Sequence, residues 1–558
     1  MKKPINLATT RALLFQLLRP EKGYFSVAMA YGLAIGLMTL AVPIAVQTLI
    51  NSIANIASTR AVIVLALVLF FTLFMSGVFS ALRTWVMELY ERRVYARLTA
   101  DLSLKTIMAP HSFFEGRRNT TITQRYFDIM ILQKNVPALF VDGFALVLQM
   151  LVGFTLVSFY HPALFVFNVI IVMVMYLIWR LWGPGAKRTA VALSHAKYDT
   201  AKWLNDIAGA HEFFKSSRHL DYAGRNTDHY IHNYIDTHKA HFRFTFSQTI
   251  MFLVLYAAAS AALLGVGGWL VVRGQLSIGQ LVAAELIMSA VFLGLSRFSQ
   301  YLKLYYQLYG AAEKIGAALQ MPQEELHSDS HHTPDEATLT FENVVLSHND
   351  DRCEIALKID AGKKVFVTTD KSWVQRKLTA LLKRFDKPET GWIMLGDMSL
   401  FDYDIYELRQ AVSTIDRALI VECSIEEYLK LSAPEATLAE VRDALALVEL
   451  DDVVETLPDG LNTRLSVMGL PFQPLELLLL KLAAAILSQP KVVILNQHFD
   501  AIPGALRQRL LTRLMGQPFT LLYFTNMASP DYLNGTLKLG DSAVMKLHSN
   551  SSEGAQND

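Results

Sequence analysis

The stretch VVILNQHFDAI, residues 492–502, places two amides directly after four aliphatic residues. A buried strand that ends in two polar residues is where a nucleotide hydrolase places two carboxylates, one for a metal ion and one for the attacking water. The residues here are Asn496 and Gln497. An amide keeps the shape and the hydrogen-bonding capacity of a carboxylate but carries no charge. Gln497 is therefore not expected to act as a general base.

Other chemistry-bearing residues indicate no metal or thiol site. Cys353 and Cys423 lack the spacing of paired metal ligands, and buried or indifferent thiols are expected. His327, His331 and His332 lie in a polar tract, where solvated side chains are the better interpretation. The net charge of +1 gives no basic field for nucleic acid. We predict no metal site and no nucleic-acid partner.

The elements that would position these residues begin with a membrane domain. The chain has 558 residues, of which 52% are hydrophobic and 18% charged, which is too apolar for a soluble protein. A membrane span needs roughly 20 mostly apolar residues. Six stretches qualify: 24–50, 61–82, 137–160, 163–182, 247–272 and 278–300. We therefore predict six spans in the bilayer.

Charge predicts the orientation of these spans. Lys and Arg are concentrated in residues 83–134 and 180–243. The positive-inside bias then places the N-terminus, both long connections and the C-terminal part in the cytoplasm, and we expect a bacterial inner membrane. Glu285 in the sixth span is the best candidate for a polar group facing a membrane cavity, where it could contact substrate or pair with another subunit.

The second half of the chain has the pattern of an α/β domain. Short apolar runs such as KVVIL and FTLLYFT alternate with helical patterns, which favours a largely parallel sheet. We predict a transmembrane domain at 1–320, a linker at 321–337, an α/β domain at 338–547 and a disordered tail at 548–558. The fold class is thus an α-helical six-span membrane domain followed by a cytoplasmic α/β domain.

This layout resembles an ABC exporter half-transporter. SFFEGRR (112–118), GGWLVVRGQLSIGQLVA (267–283) and AAEKI (311–315) are similar to segments of its membrane domain and of the connection that follows. LTFENVVLSH (339–348), ELRQAV (407–412), LPDGLNTRL (457–465) and AAAILSQPKVVIL (483–495) are similar to the framework of its nucleotide-binding domain. The resemblance implies an ABC-ATPase-like domain and a dimer of two such chains.

The resemblance also places the family's phosphate-binding loop on TDKSWVQRK, residues 369–377. Thr369, Ser372 and Val374 then stand at glycine positions, Gln375 at the lysine and Arg376 at the magnesium-binding hydroxyl. Glycines allow backbone N–H groups to wrap phosphates, and β-branched Val374 does not readily take those conformations. Arg376 and Lys377 could still meet an anion at a helix start, although solvated side chains are the simpler interpretation.

The remaining nucleotide positions differ from the family in the same way. The adenine-stacking aromatic falls on His348, the magnesium-linked glutamine on Arg417, the metal-binding aspartate on Asn496 and the catalytic glutamate on Gln497. The next loop's aspartate falls on Pro503, the γ-phosphate-sensing histidine on Asn526, and the signature L-S-G-G-Q on Phe472, Gln473, Pro474, Leu475 and Glu476. Magnesium–ATP binding of the usual form is therefore not expected.

These substitutions lead to two hypotheses. In the first, the chain is an inactive pseudo-ATPase that serves as a scaffold, regulatory or coupling subunit of a membrane export complex. In the second, it is the non-catalytic half of a heterodimeric ABC exporter whose partner binds and hydrolyses ATP. Expected partners are the lipid bilayer, a second copy or another half-transporter, and further membrane subunits.

Overall fold

The computed structural model describes Ala12 and residues 19–39, 41–55, 59–114, 120–324, 332–416, 420–527 and 534–547. The predicted tail at 548–558, linker residues 325–331 with His327 and His331, and Arg417 lie outside these residues. The chain divides into two units, Met1–Ala109 with Phe113–Gln323, and Pro110–Ser112 with Glu324–Asp558. The predicted domain bounds stay predictions.

Long helices make up the first part of the chain. The helices are α1 Lys22–Thr39, α2 Ala41–Asn55, α3 Thr59–Ile107, α4 His111–Phe114, α5 Thr120–Pro137, α6 Gly143–Ser158, α7 Pro162–Gly209, α8 Ser217–Val272 and α9 Ile278–Leu319, with 3-10 turns at Arg19–Glu21 and Phe213–Lys215 and a π-helical turn at Ala138–Asp142. Local sequence explains where they begin. The His161 Nδ1 accepts from the Ala163 N–H at 3.1 Å before Pro162, and Ser277 and Gln280 form a capping box at α9.

Among the described residues, six helical stretches are long and apolar enough to cross a membrane. The predicted number of spans is thus confirmed. Helices α3, α7 and α8 contain 49, 48 and 56 residues. At about 1.5 Å per residue each exceeds 70 Å, whereas a bilayer core is about 30 Å thick. Each of these helices is therefore long enough to extend well beyond the bilayer.

Close helix contacts hold the membrane unit together. One core cluster connects the four helices α6, α7, α8 and α9 through buried residues such as Ile171, Phe252 and Phe292. Gly153 of α6 lies against α9, where an added Cβ would be 2.4 Å from the Val291 Cγ2. A glycine is required at this crossing because any side chain would overlap the β-branched residue.

In the part of the second unit that the structure describes, three sheets combine with short helices. Its strands are β1 Leu339–His348, β2 Asp351–Ile359, β3 Lys364–Thr369, β4 Thr390–Leu395, β5 Met398–Ser399, β6 Val412–Ile415, β7 Cys423–Ser424, β8 Arg464–Leu465, β9 Val492–Leu495, β10 Thr520–Phe524, β11 Gly535–Leu539 and β12 Ala543–Leu547. Its helices are α10 Ser372–Leu382, α11 Ile405–Ala411, α12 Ile425–Ser432, α13 Leu438–Leu447, α14 Asp451–Thr456, α15 Pro474–Leu487 and α16 Gly504–Met515, with 3-10 turns at Leu400–Asp402, Gly460–Asn462 and Gln497–Ala501.

The central sheet has the strand order β12-β11-β3-β10-β9-β6, and all of its pairings are parallel except β11 with β12. Every residue of β9 and β10 is buried, as expected for parallel strands covered on both faces. A second sheet, with the strand order β2-β1-β4-β5, is antiparallel. Because β3, β9 and β10 are parallel neighbours, the residues that follow them meet at one edge.

Candidate nucleotide site

The connection from β3 to α10 is short. Strand β3 ends at Thr369 and the helix begins at Ser372, so only Asp370 and Lys371 lie between them. The Thr369 Oγ1 accepts a hydrogen bond from the Lys371 N–H at 3.1 Å. Ser372, predicted at the second glycine position, is already helical. No loop remains here that could wrap a phosphate group with consecutive N–H groups.

The predicted third glycine and lysine positions are buried. Val374 is fully buried, Gln375 is 7% exposed and neighbouring Trp373 is 9% exposed. Trp373 and Val374 belong to the core between α10 and the strands. A side chain at position 375 therefore packs inside the domain, whereas a phosphate-binding lysine has to reach outward.

His348, which stands at the family's adenine-stacking position, already stacks on a ring of the chain itself. Its ring centroid lies 5.8 Å from that of Trp373, with 29° between the planes. The indole thus occupies one face of the imidazole. This contact could not be inferred from the sequence.

The basic residues near the connection have acidic or carbonyl partners. The Lys371 Nζ donates to the Arg352 carbonyl and to the Asp541 Oδ1, both at 2.8 Å. This contact lowers the pKa of Asp541 below its ordinary value. The Lys377 Nζ lies 2.5 Å from the Asp386 Oδ2. Of the two bases for which solvated side chains were the simpler interpretation and anion contact the alternative, Lys377 is paired and Arg376 is exposed.

The signature positions form the start of α15. Phe472 is buried, and Pro474 is the first helical residue and has no N–H group. The Glu476 Oε2 accepts the Gln473 N–H at 2.7 Å. A carboxylate of the chain itself thus satisfies the helix N-terminus, which would otherwise attract a phosphate. Leu475 is half-buried beside it.

The amides that follow β9 meet a third amide after β10. The Gln497 Nε2 donates to the Asn526 Oδ1 at 3.3 Å, which brings two predicted positions together. The Asn496 Oδ1 accepts the His498 N–H at 3.2 Å and begins the 3-10 turn. Pro503 is exposed before α16.

One carboxylate at this edge was missed from the sequence. The Asp500 Oδ1 accepts from the Tyr523 hydroxyl at 2.5 Å and from the Thr525 Oγ1 at 2.8 Å, and its Oδ2 accepts from the Asn526 N–H at 3.1 Å. Burial and this carboxylate raise the pKa of Tyr523 above its ordinary value. The sequence signal that could have identified Asp500 is its position, one helical turn after Asn496. Its hydrogen bonds fix the turn to β10.

Taken together, these residues do not fit a magnesium nucleotide held in the usual form. From Ser372 onward the phosphate-loop positions are helical and partly buried, the signature helix is capped by Glu476, and the metal-binding position carries a neutral amide.

Glu285 lies in α9, in the other unit. The Ser289 Oγ donates to its Oε1 at 3.2 Å. Its Oε2 is buried and has no hydrogen-bond partner among the described residues. A ligand or another subunit could supply the missing hydrogen-bond donor to this oxygen. The predicted role of Glu285 stays a prediction.

Residues 25–295, within the membrane unit, match a family described as ABC transporter transmembrane region. The predicted ABC exporter fold is confirmed by a solved structure of a bacterial Atm1-family ABC exporter with ATP bound, which is 16% identical, covers 95% of each chain and has a TM-score of 0.79.

Curated relatives extend the similarity into the second unit. The leukotoxin translocation ATP-binding protein LktB of Mannheimia glucosida is 24% identical over 453 residues, and the exotoxin translocation ATP-binding protein PaxB of Pasteurella aerogenes is 23% identical over 454. Each match covers 79% of this chain but only 62% of the relative's own length. The chain thus corresponds to about three fifths of these larger proteins.

The relatives correct one prediction. The expectation that the chain is not an enzyme but an inactive pseudo-ATPase is wrong, because the proteins it resembles over most of its length are named as ATP-binding translocation proteins. That expectation considered the side chains of one chain alone. In ABC exporters each nucleotide lies between two chains, so substitutions in one chain do not establish inactivity.

Proposed function

We propose that the chain is one half of an ABC exporter that acts as a dimer in the bacterial inner membrane. The six long apolar helices and the exporter fold support the membrane role. The relatives named as translocation proteins support export. The N-terminus, both long connections and the second unit lie on the cytoplasmic side in this proposal, in agreement with the distribution of Lys and Arg.

The partner in this dimer is a different half-transporter. One observation carries this choice: the side chains of Val374 and Gln375, both in α10, are buried. Two identical copies would place the same altered phosphate loop in both nucleotide sites. A partner with an unaltered loop supplies the phosphate contacts that this chain lacks, and magnesium–ATP is not held in the usual form by residues 369–377.

Hydrolysis by reconstituted protein tests the proposal. The chain is placed in lipid vesicles alone and together with a half-transporter whose phosphate loop is intact, and phosphate release from magnesium–ATP is measured. We expect the pair to hydrolyse ATP faster than either chain alone, and replacement of the partner's phosphate-loop lysine to abolish that increase.

Two results would contradict parts of the proposal. Hydrolysis by this chain alone at the rate of the pair would overturn the heterodimer. Absence of hydrolysis in every combination, with a melting temperature that millimolar magnesium–ATP does not shift, would overturn the ATP-driven exporter and favour a scaffold or coupling subunit.

A further inference from the structure

A cavity of about 420 Å³ lies within the membrane unit. Residues of α5, α7, α8 and α9 form its walls. Pockets for small molecules have volumes of roughly 300–1,000 Å³. The cavity is thus large enough for a ligand.

Basic side chains enter the cavity from three helices. Lys197 of α7, His238 of α8 and Lys303 of α9 all line it and are exposed. Within the described ranges neither lysine forms a salt bridge, although the Lys197 Nζ lies 4.5 Å from the centre of the Tyr198 ring. Neither ammonium group is therefore paired directly with a carboxylate of the described residues.

Asp128 is the single acidic residue among the described residues of the lining. It is 1% exposed and accepts a hydrogen bond from the Tyr198 hydroxyl. Arg125 and Lys314 lie close enough to act on it electrostatically, as does Lys197. The surroundings of the cavity keep an excess of positive charge.

The rest of the lining is largely apolar. Ile131, Leu193 and Phe242 come from three different helices, and Ala190 and Ala311 add small apolar surface. A ligand that fits these walls needs an apolar body in addition to an anionic group.

The position of the cavity along the helices is also informative. Lys303 lies within one helical turn of residue 300, where the sixth predicted span ends, and Thr245 lies just before the fifth span at 247–272. All lining residues fall on the side of the spans that is predicted to be cytoplasmic. Lys197 lies about four helical turns, roughly 20 Å, beyond residue 182, where the fourth predicted span ends. The cavity therefore extends from the bilayer surface into the predicted cytoplasmic parts of these helices.

We infer that this cavity binds an anionic amphiphile. Its phosphate or carboxylate group contacts Lys197, His238 and Lys303, and its apolar body packs against Ile131, Leu193 and Phe242. The same chemistry is offered by an anionic lipid of the inner leaflet and by a soluble amphiphilic anion. Binding does not depend on how the chain handles ATP.

The experiment uses the full chain in phosphatidylcholine nanodiscs and has two arms. In the first, phosphatidylglycerol replaces part of the phosphatidylcholine and the melting temperature is compared. In the second, octyl phosphate is titrated into phosphatidylcholine nanodiscs and its Kd is measured. A shift in the first arm alone assigns the site to a lipid headgroup, and saturable binding in the second assigns it to a soluble amphiphile.

Variants test whether the lysines hold the anion. We expect Lys197→Gln and Lys303→Gln each to weaken binding about fivefold, as removal of one partly exposed charge contact does. Lys303→Arg, which keeps the charge, should retain binding. Lys202→Gln is the matched control because it removes an exposed lysine of α7 outside the cavity. The inference is overturned if both arms are negative, or if the effects are equal in the lysine variants and in Lys202→Gln.

Discussion

Trp373 takes part in two contacts that define the candidate nucleotide site. Its side chain packs in the core of the second unit, and its indole faces the ring of His348. The residue therefore stabilises the domain and also covers the imidazole that would stack on adenine. Removal of this indole should therefore destabilise the domain more than removal of a tryptophan on the surface.

Trp373→Ala should lower the free energy of unfolding of the second unit by about 3–5 kcal/mol, because a buried indole is replaced by a cavity. Trp392→Ala is the control, since Trp392 is 63% exposed, and its effect should stay within about 0.5 kcal/mol. Denaturant unfolding of the purified chain, followed by circular dichroism, measures both. Equal effects would contradict the buried position of Trp373.

At this scale the sequence predicts some contacts and not others. Gln497 and Asn526 were both predicted at the site, and their hydrogen bond follows from the adjacent parallel strands β9 and β10. The contacts of Asp500 were not predicted, because they depend on a 3-10 turn that directs its carboxylate toward Tyr523 and Thr525. The stacking of His348 on Trp373 could not be predicted without knowing that α10 begins as early as Ser372.

Among the elements, strand β3 contains a fully buried lysine. The Lys364 Nζ donates to the carbonyls of Gly362, Gln517 and Phe519 at 2.6–2.8 Å. These bonds connect the start of β3 to the segment before β10. Burial lowers the pKa of Lys364 to about 8.

Lys364 should make stability depend on pH. Between pH 8 and 10.5 the folded lysine loses its proton while the unfolded lysine, with its ordinary pKa of 10.5, still binds one. The free energy of unfolding contributed by this group therefore rises as the pH rises through that window. Lys364→Met should flatten the profile and lower stability by about 1–3 kcal/mol, because three carbonyls lose a donor.

Denaturant unfolding at several pH values measures this effect. Lys363→Met is the control, since that side chain is only half-buried. A profile in Lys364→Met that rises as steeply as that of the unaltered chain would contradict the assignment.

The helix crossing at Gly153 gives a prediction for the membrane unit. Gly153→Ala should destabilise it by about 1–3 kcal/mol, because the new methyl group would lie 2.4 Å from the Val291 Cγ2 and 3.2 Å from the Ile287 Cγ2. Gly265→Ala is the matched control, with nothing within 4 Å of its Cβ, and should be neutral or slightly stabilising. Thermal unfolding in nanodiscs compares them. A neutral Gly153→Ala would show that α6 and α9 do not cross this closely.

At the scale of the whole molecule, composition predicts the architecture better than it predicts individual contacts. Hydropathy gave the six spans, since a bilayer requires a minimum length of apolar helix. The α/β pattern gave the class of the second unit. The cavity could not be predicted in this way, because its walls come from four helices that are far apart in sequence.

The proposed orientation can be tested with single cysteines in intact cells. A membrane-impermeant maleimide should label Gln275→Cys from outside, whereas it should label His211→Cys only after lysis. Both positions are exposed between helices. The unaltered chain is the control, because Cys353 and Cys423 are buried and burial raises the pKa of Cys353 to about 11. The reverse labelling pattern would contradict the orientation.

The two-residue connection between β3 and α10 has a consequence for protein engineering. Replacing Thr369, Ser372 and Val374 by glycine and Gln375 by lysine would reproduce the residue types of a phosphate loop over the same nine positions, yet α10 begins as early as Ser372. A gain-of-function design would therefore also have to delay the start of this helix and move Trp373 out of the core.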